Sequence, residues 1–345
     1  MIVKKRAYAR LGFVGNPSDG YHGKTIAFTI GDFFAEATLF ESPELELRPA
    51  PQDNAVFESV GDLVDNVERN GYYGGIRLLK AAVKKFAEHC QKAGMELPDR
   101  NFTIRYRTNI PRQVGLGGSS AIITAVMRAL MEFFEVDVPD HLLPNVVLSA
   151  ETEELGLTAG LQDRVVQAYG GLVYMDFDKQ HMQQHGYGRY QRLDAEVLPP
   201  VYLAYRKDLS KESSTAHIRV RELYDMGDTE VVRTMSEIAS LAEVARALLK
   251  AEDREELARV INRNFDLRRR IYPIRSEDVK MVETARSVGA SAKFCGSGGA
   301  VVGTFADDGM LEQLRAAMQD AGYEFLVPQV APNSHEPLPV ASAGE

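Results

Sequence analysis

Six residues near the middle of the chain, Gly115-Leu116-Gly117-Gly118-Ser119-Ser120, have the types and order of a phosphate-binding loop. They follow an alternating stretch at 102–109 (FTIRYRTN), expected to be a half-buried strand. They precede Ile122, Ile123, Val126, Met127, Leu130 and Phe134, whose spacing predicts a long apolar helix. The first N–H groups of a helix lack internal partners, and the helix dipole adds partial positive charge there. Glycines let backbone approach phosphate oxygens without a Cβ in the way. The two serine hydroxyls can cap the helix, and one can also ligate Mg²⁺. The same residues also describe an ordinary capped helix after a flexible loop, so the loop alone does not decide.

Two other segments resemble nucleotide motifs and fail on context. Residues 18–25 end in Gly23-Lys24-Thr25, but Ser18 stands where a P-loop needs its first glycine, and a strand-like stretch follows. Gly296-Ser297-Gly298-Gly299 lacks the helix that should follow a dinucleotide fingerprint; 300–305 (AVVGTF) reads as a strand. That late glycine loop fits a place where backbone must approach something closely.

The elements that must position these loops can be read coarsely. Residues 9–14 predict a short strand, and 25–40 predict two strands broken near Gly31-Asp32. Residues 42–54 read as an edge strand with a loop, 74–92 as a helix, 144–155 and 163–169 as helices, and 172–177 as a strand. A polar stretch at 178–192 suggests a domain boundary. Beyond it, 201–205 reads as a strand, 213–270 as mostly helical, 310–321 as a helix and 323–328 as a strand. The end of the chain is rich in Pro, Ala and Ser and is expected to be disordered.

Composition narrows the classes. The chain has 345 residues, 45% hydrophobic and 26% charged, which suits two globular domains. A net charge of −9 argues against nucleic acid or anionic membrane as partner. Cys90 and Cys295, the only cysteines, form no disulfide framework or zinc pattern, and point to a reducing cytoplasm. No apolar run is long enough for a signal peptide or a membrane span.

Three segments in order resemble the three motifs of the galactokinase, homoserine kinase, mevalonate kinase and phosphomevalonate kinase superfamily, the GHMP kinases. They are ARLGFVGNPSDGYHGK at 9–24, PRQVGLGGSSA at 111–121 and KFCGSGGA at 293–300. The second has an extra residue between its Gly-Leu pair and its serines. The third has Cys295 and Ser297 where the family often has Thr and Ala. The first has Gly-Asn-Pro-Ser-Asp where many members have Gly-Glu-His. That variant, with Asn-Ile-Pro-Arg-Gln-Val-Gly-Leu, most resembles the glucuronokinase branch.

The resemblance implies an α+β, two-domain GHMP kinase fold. An N-terminal ribosomal-protein-S5-like domain at 1–190 would carry the phosphate loop and catalytic Asp. A C-terminal ferredoxin-like αβ domain at 191–330 would carry the late glycine motif, with a disordered tail at 331–345. It implies ATP and Mg²⁺ as cofactors, with 115–120 on the phosphates and 296–299 as the late glycine motif. Ser120 and Glu151 match the metal positions, with Glu153 and Glu154 close enough to Glu151 to be alternatives. Asp163 matches the catalytic Asp and Arg10 its basic companion. Asp19 matches a carboxylate that binds substrate hydroxyls. Phosphoryl transfer needs positioning and charge neutralisation, and these residue types supply both.

A sugar acceptor would need polar groups, for which Asn16, Ser18 and Asp19 stand ready in the first motif. A uronic acid would also need a cation, with Arg112 and Arg164 the nearest in sequence to the phosphate loop and Asp163, and Arg77, Arg105 and Arg107 more distant. The branch resemblance favours D-glucuronate as acceptor, giving glucuronate 1-phosphate. Other acceptors within the class are galacturonate, galactose and a heptose phosphate. A non-catalytic ATP and sugar sensor and a phosphorylation-coupled decarboxylase are the readings outside it. No nucleic-acid or membrane partner is expected, and the protein should be a monomer or homodimer.

Overall fold

A computed structural model describes residues 1–50, 53, 59, 74–206 and 215–331. Ten strands and ten α-helices are present among them. In chain order they are β1 (Ile2–Val14), β2 (Lys24–Glu41), β3 (Glu46–Arg48), α1 (Gly75–Lys92), β4 (Phe102–Thr108), α2 (Gly118–Phe134), α3 (Leu143–Thr152), α4 (Gln162–Tyr169), β5 (Leu172–Asp176), α5 (Lys179–His185), β6 (Arg189–Leu193) and β7 (Val201–Tyr205). The second half continues with α6 (Thr215–Asp225), α7 (Thr229–Ala251), α8 (Arg254–Ile271), α9 (Ser276–Ser287), β8 (Lys293–Phe294), β9 (Ala300–Thr304), α10 (Asp308–Asp320) and β10 (Glu324–Leu326).

The first sheet is organised around β2, whose Thr-, Ile- and Phe-rich alternation suits a long pleated strand. β1 pairs antiparallel along nearly its whole length. β5 pairs with 24–28 and β4 with 35–41 on the other edge. Residues Leu11, Phe13 and Val14 of β1 are fully buried, so that end of the strand is covered on both faces. The break expected near Gly31-Asp32 is a bulge within one strand: Tyr8 pairs with Phe34 and the next residue, Ala9, with Ile30. The polar residues that suggested a turn loop out of register without ending the ladder. The C-terminal segment binds there, with Gly31 N donating to Gln329 O at 2.8 Å.

The second sheet is antiparallel in the order β10-β7-β9-β8. Its core includes Tyr202, Phe265, Phe294, Leu314 and Met318. The main core runs from the first sheet and α2 through Ala242, Ala245 and Ile261 to Cys295 and Val302, so both halves share apolar packing. The site loops are therefore fixed against one another by burial on both sides.

The expected boundary at 190/191 falls inside β6, which pairs with β5 in the first sheet. Arg189, Gln191 and Arg192 are exposed on this edge strand, so its sequence resembles a linker. Of the expected tail, Ala331 is buried and donates to Thr29 O at 2.8 Å. Residues 332–345 lie outside the described residues. No helix among the described residues is long and apolar enough to cross a membrane.

Candidate active site

The three glycine-containing segments meet. Gly12 N donates to Cys295 O at 2.9 Å, and Arg10 N donates to Leu116 O at 3.1 Å. A Cβ at Gly296 would lie 2.3 Å from Gly115 O, so only glycine permits this approach. Arg268 of α8 donates to Gly296 O at 2.6 Å and to Ser297 O at 2.9 Å, holding the late loop from behind.

Arg10 projects from β1 into this junction and is 5% exposed. Its Nε and Nη2 grip Asp163 Oδ1 and Oδ2 at 2.5 and 2.7 Å. Its Nη1 donates to Gly115 O at 2.6 Å and Cys295 O at 2.9 Å. One guanidinium thus ties the carboxylate to both glycine loops, a use suited to the fixed fork of Arg. Asp163 lies in the first turn of α4, where a carboxylate is also favoured by the helix dipole. Burial pushes its carboxyl up, but the Arg10 and Arg164 guanidinium groups outweigh this and hold it below the usual range.

Asp19 comes to the same place from the turn Ser18–Tyr21. It accepts from Gln162 N at 3.3 Å, and a Cβ at Gly160 would lie 2.3 Å from its Oδ2. Burial and the nearby Asp163 charge push its carboxyl up to about 6, against the Gln162 N–H, Arg10 and Arg164. Two neighbouring carboxylates therefore have affinities for protons driven apart, an arrangement common where acid–base chemistry is done. The second half of the chain closes over this turn. Tyr21 and Tyr272 hydroxyls are 3.1 Å apart, and Arg221 of α6 donates to Gly20 O at 2.7 Å.

The start of α2 suits an anion. Gly117, its N-cap, has φ 72 and no side chain caps the helix. Asp side chains cap α5, α7, α8 and α10, whereas α1, α3, α4 and α9 share with α2 the lack of a side-chain cap, so the glycines are what set α2 apart for this role. The uncapped N–H groups at a glycine-lined opening fit a phosphate chain. For the metal the fit is poorer. Ser120, expected beside Glu151, is fully buried and donates to Gly117 O at 3.0 Å. Ser119, one helical position earlier, donates to Glu151 Oε1 at 2.7 Å. Glu151 Oε2 already accepts from Arg164 Nε at 2.7 Å and from Arg164 Nη2. Glu153 and Glu154 turn away to Lys85 and Lys84. Among the described residues no group of three or more His, Cys, Asp or Glu is placed to hold a metal.

The site therefore brings together Arg10, Asp19, Asp163, 115–120 and 296–299. Other expected residues serve the scaffold. Asn16 Oδ1 accepts from Lys293 Nζ and its Nδ2 donates to Phe294 O at 3.4 Å. Ser18 Oγ donates to Lys24 O at 3.0 Å and is fully buried. Arg164, expected as a cation for a substrate carboxylate, is committed to Glu151 because it leaves α4 on the side facing α3. Arg112 is exposed on the approach to the phosphate loop. Sequence reasoning assigned no role to Lys293, which is buried and donates to Gly12 O at 2.7 Å and Phe294 O at 2.8 Å as well as to Asn16. A charged residue opening a buried strand beside Cys and Gly was the available signal.

Comparison with known proteins agrees with this assembly. The family model described as GHMP kinases N terminal domain matches residues 77–171, and that described as GHMP kinases C terminal matches 245–324. The chain is 48% identical over 308 residues to a protein named probable glucuronokinase 2 of Arabidopsis thaliana, covering 87% of this chain and 84% of the relative. It is 43% identical over 339 residues to glucuronokinase 1 of the same plant, covering 96% and 93%. The crystal structure of Lactococcus lactis galactokinase complexed with galactose superposes with a TM-score of 0.73 at 17% identity, covering 95% of this chain and 93% of that one. The two-domain architecture is the one these kinases share, and the chain belongs to the GHMP kinase family.

Proposed function

We propose that this protein transfers the γ-phosphoryl group of ATP to the anomeric hydroxyl of D-glucuronate, giving glucuronate 1-phosphate and ADP. Kinases of this family are ATP-dependent. The acceptor rests on identities of 48% and 43% to two plant glucuronokinases over most of the chain. The observation that carries the chemistry is Asp163, clamped by Arg10 between the start of α2 and Asp19.

The roles follow from that geometry. The N-terminus of α2 and the 296–299 loop hold the phosphate chain. Asp163, kept ionised, accepts the hydrogen bond of the attacking hydroxyl and takes its proton late in transfer. Arg10 fixes the carboxylate and offsets charge building beside it. Asp19 accepts from a second sugar hydroxyl and so sets the ring in line with the phosphates. Mg²⁺, when bound with the nucleotide, would neutralise phosphate charge, and the half-buried Ser119 is the loop hydroxyl that would lie nearest it. Cys90 and Cys295 are free and buried, which suits a reducing cytoplasm.

The test is ADP release with glucuronate, galacturonate, galactose and a heptose phosphate. Release stimulated first by glucuronate supports the proposal. ATP and sugar binding without ADP from any of the four refutes it, as does carbon dioxide release.

A further inference from the structure

Glu151 is 1% exposed, and the partners of its two oxygens are protein groups. Arg164, 5% exposed, gives it Nε and Nη2, while Nη1 donates to Gly160 O at 2.8 Å and lies 3.5 Å from Asp163 Oδ2. Glu151, Arg164, Asp163 and Arg10 form a continuous chain of alternating charge, with Glu151, Arg164 and Arg10 buried and Asp163 half-buried, that starts at the half-buried Ser119 and ends on Gly115 O and Cys295 O. Mg²⁺ demands octahedral oxygen ligands and gives up water reluctantly. It could reach Glu151 only by displacing a buried, hydrogen-bonded guanidinium or by sitting beside that positive charge.

We infer that Arg164 is the resident cation of Glu151, and that this carboxylate is a positioning residue for Ser119 and Asp163 instead of a metal ligand. A divalent ion would then come with the nucleotide, and Ser119 is the protein oxygen that would face it. The ion pair also explains why Arg164 does not serve the substrate. Two neighbouring residues of α4, Asp163 and Arg164, divide the work: one faces the acceptor and the other fixes the phosphate-loop serine. The inference depends on the kinase reading only through the nucleotide, and no acceptor enters its test.

The probe is Mn²⁺, followed by the electron paramagnetic resonance signal of the free ion, with full-length protein and no nucleotide. Wild type should bind it weakly. Arg164→Gln should bind it at least about tenfold more tightly, by releasing Glu151, and adding Glu151→Gln should abolish the gain. Equal affinity in wild type and Arg164→Gln overturns the inference. Wild type supplies an arm that does not depend on the variant folding. Millimolar Mg²⁺ without nucleotide should leave its melting temperature unchanged, and a rise that Glu151→Gln removes would overturn the inference as well. Neither readout depends on sugar turnover, so a wrong acceptor would leave both intact.

Discussion

Asp19→Asn should make the free enzyme more stable while damaging its function. The carboxyl of Asp19 is raised from 3.8 to about 6 by burial and by the charge of Asp163, in spite of Gln162, Arg10 and Arg164. Between those values the folded protein holds a proton that the unfolded chain has released. Stability therefore falls as pH rises from about 4 to about 6, and the deficit is complete above that window. The difference between those two values corresponds to about 3 kcal/mol at pH 8 and about 1 kcal/mol at pH 4.5. Solvent on the open side of the residue makes these upper values. Asparagine keeps an acceptor for Gln162 N and carries no charge, so the variant should gain most of that energy at pH 8 and little at pH 4.5. Urea denaturation of both proteins at the two pH values measures it. The KM for glucuronate should rise about 10- to 100-fold from loss of a charged hydrogen bond. A variant no more stable than wild type at pH 8, or a gap equal at both pH values, would refute the reasoning. Such a result would mean that Arg10 and Arg164 satisfy Asp19 in full.

Other substitutions separate the remaining roles. Asp163→Asn should lower kcat by roughly 10²- to 10⁴-fold, with binding of a non-hydrolysable ATP analogue by calorimetry little changed. Ser119→Ala should reduce kcat more than Ser120→Ala, whose loss of a bond to Gly117 O costs about 1 kcal/mol of stability in thermal melts. Gly160→Ala places a methyl 2.3 Å from Asp19 Oδ2, so steady-state kinetics should show a raised acceptor KM with the ATP KM unchanged. Lys293→Met removes its bonds to Gly12 O, Asn16 Oδ1 and Phe294 O, of which Phe294 O keeps Asn16 Nδ2, and should cost about 2 kcal/mol in urea melts.

The parts of the site that sequence made legible are those fixed by local chemistry. A glycine-serine loop between a strand and an apolar helix sits where its residue types place it, and Asp163 opens its short helix. Choices that depend on helix phase and on distant partners were not legible. Ser119 and Ser120 differ by about 100° around α2, and only the position of α3 decides which of them meets Glu151. Arg164 is one residue from Asp163, yet its partner is 13 residues away on another helix. Asn16 and Ser18 look like sugar ligands in a list of polar residues, but their loop needs them to satisfy buried backbone and Lys293. In the fold, the bulge at 31–33 carries the same polar signature as a turn, and β6 that of a linker. Pairing with a neighbouring strand distinguishes them, and that information lies far away in the chain.

Phosphorus NMR of the product formed from ATP and D-glucuronate tests the central claim most directly, run in parallel with wild type and Asp163→Asn. The account predicts ADP together with a sugar-phosphate signal coupled to the anomeric proton, formed by wild type and nearly absent with the variant. A phosphate on another hydroxyl, or equal product from Asp163→Asn, would contradict it.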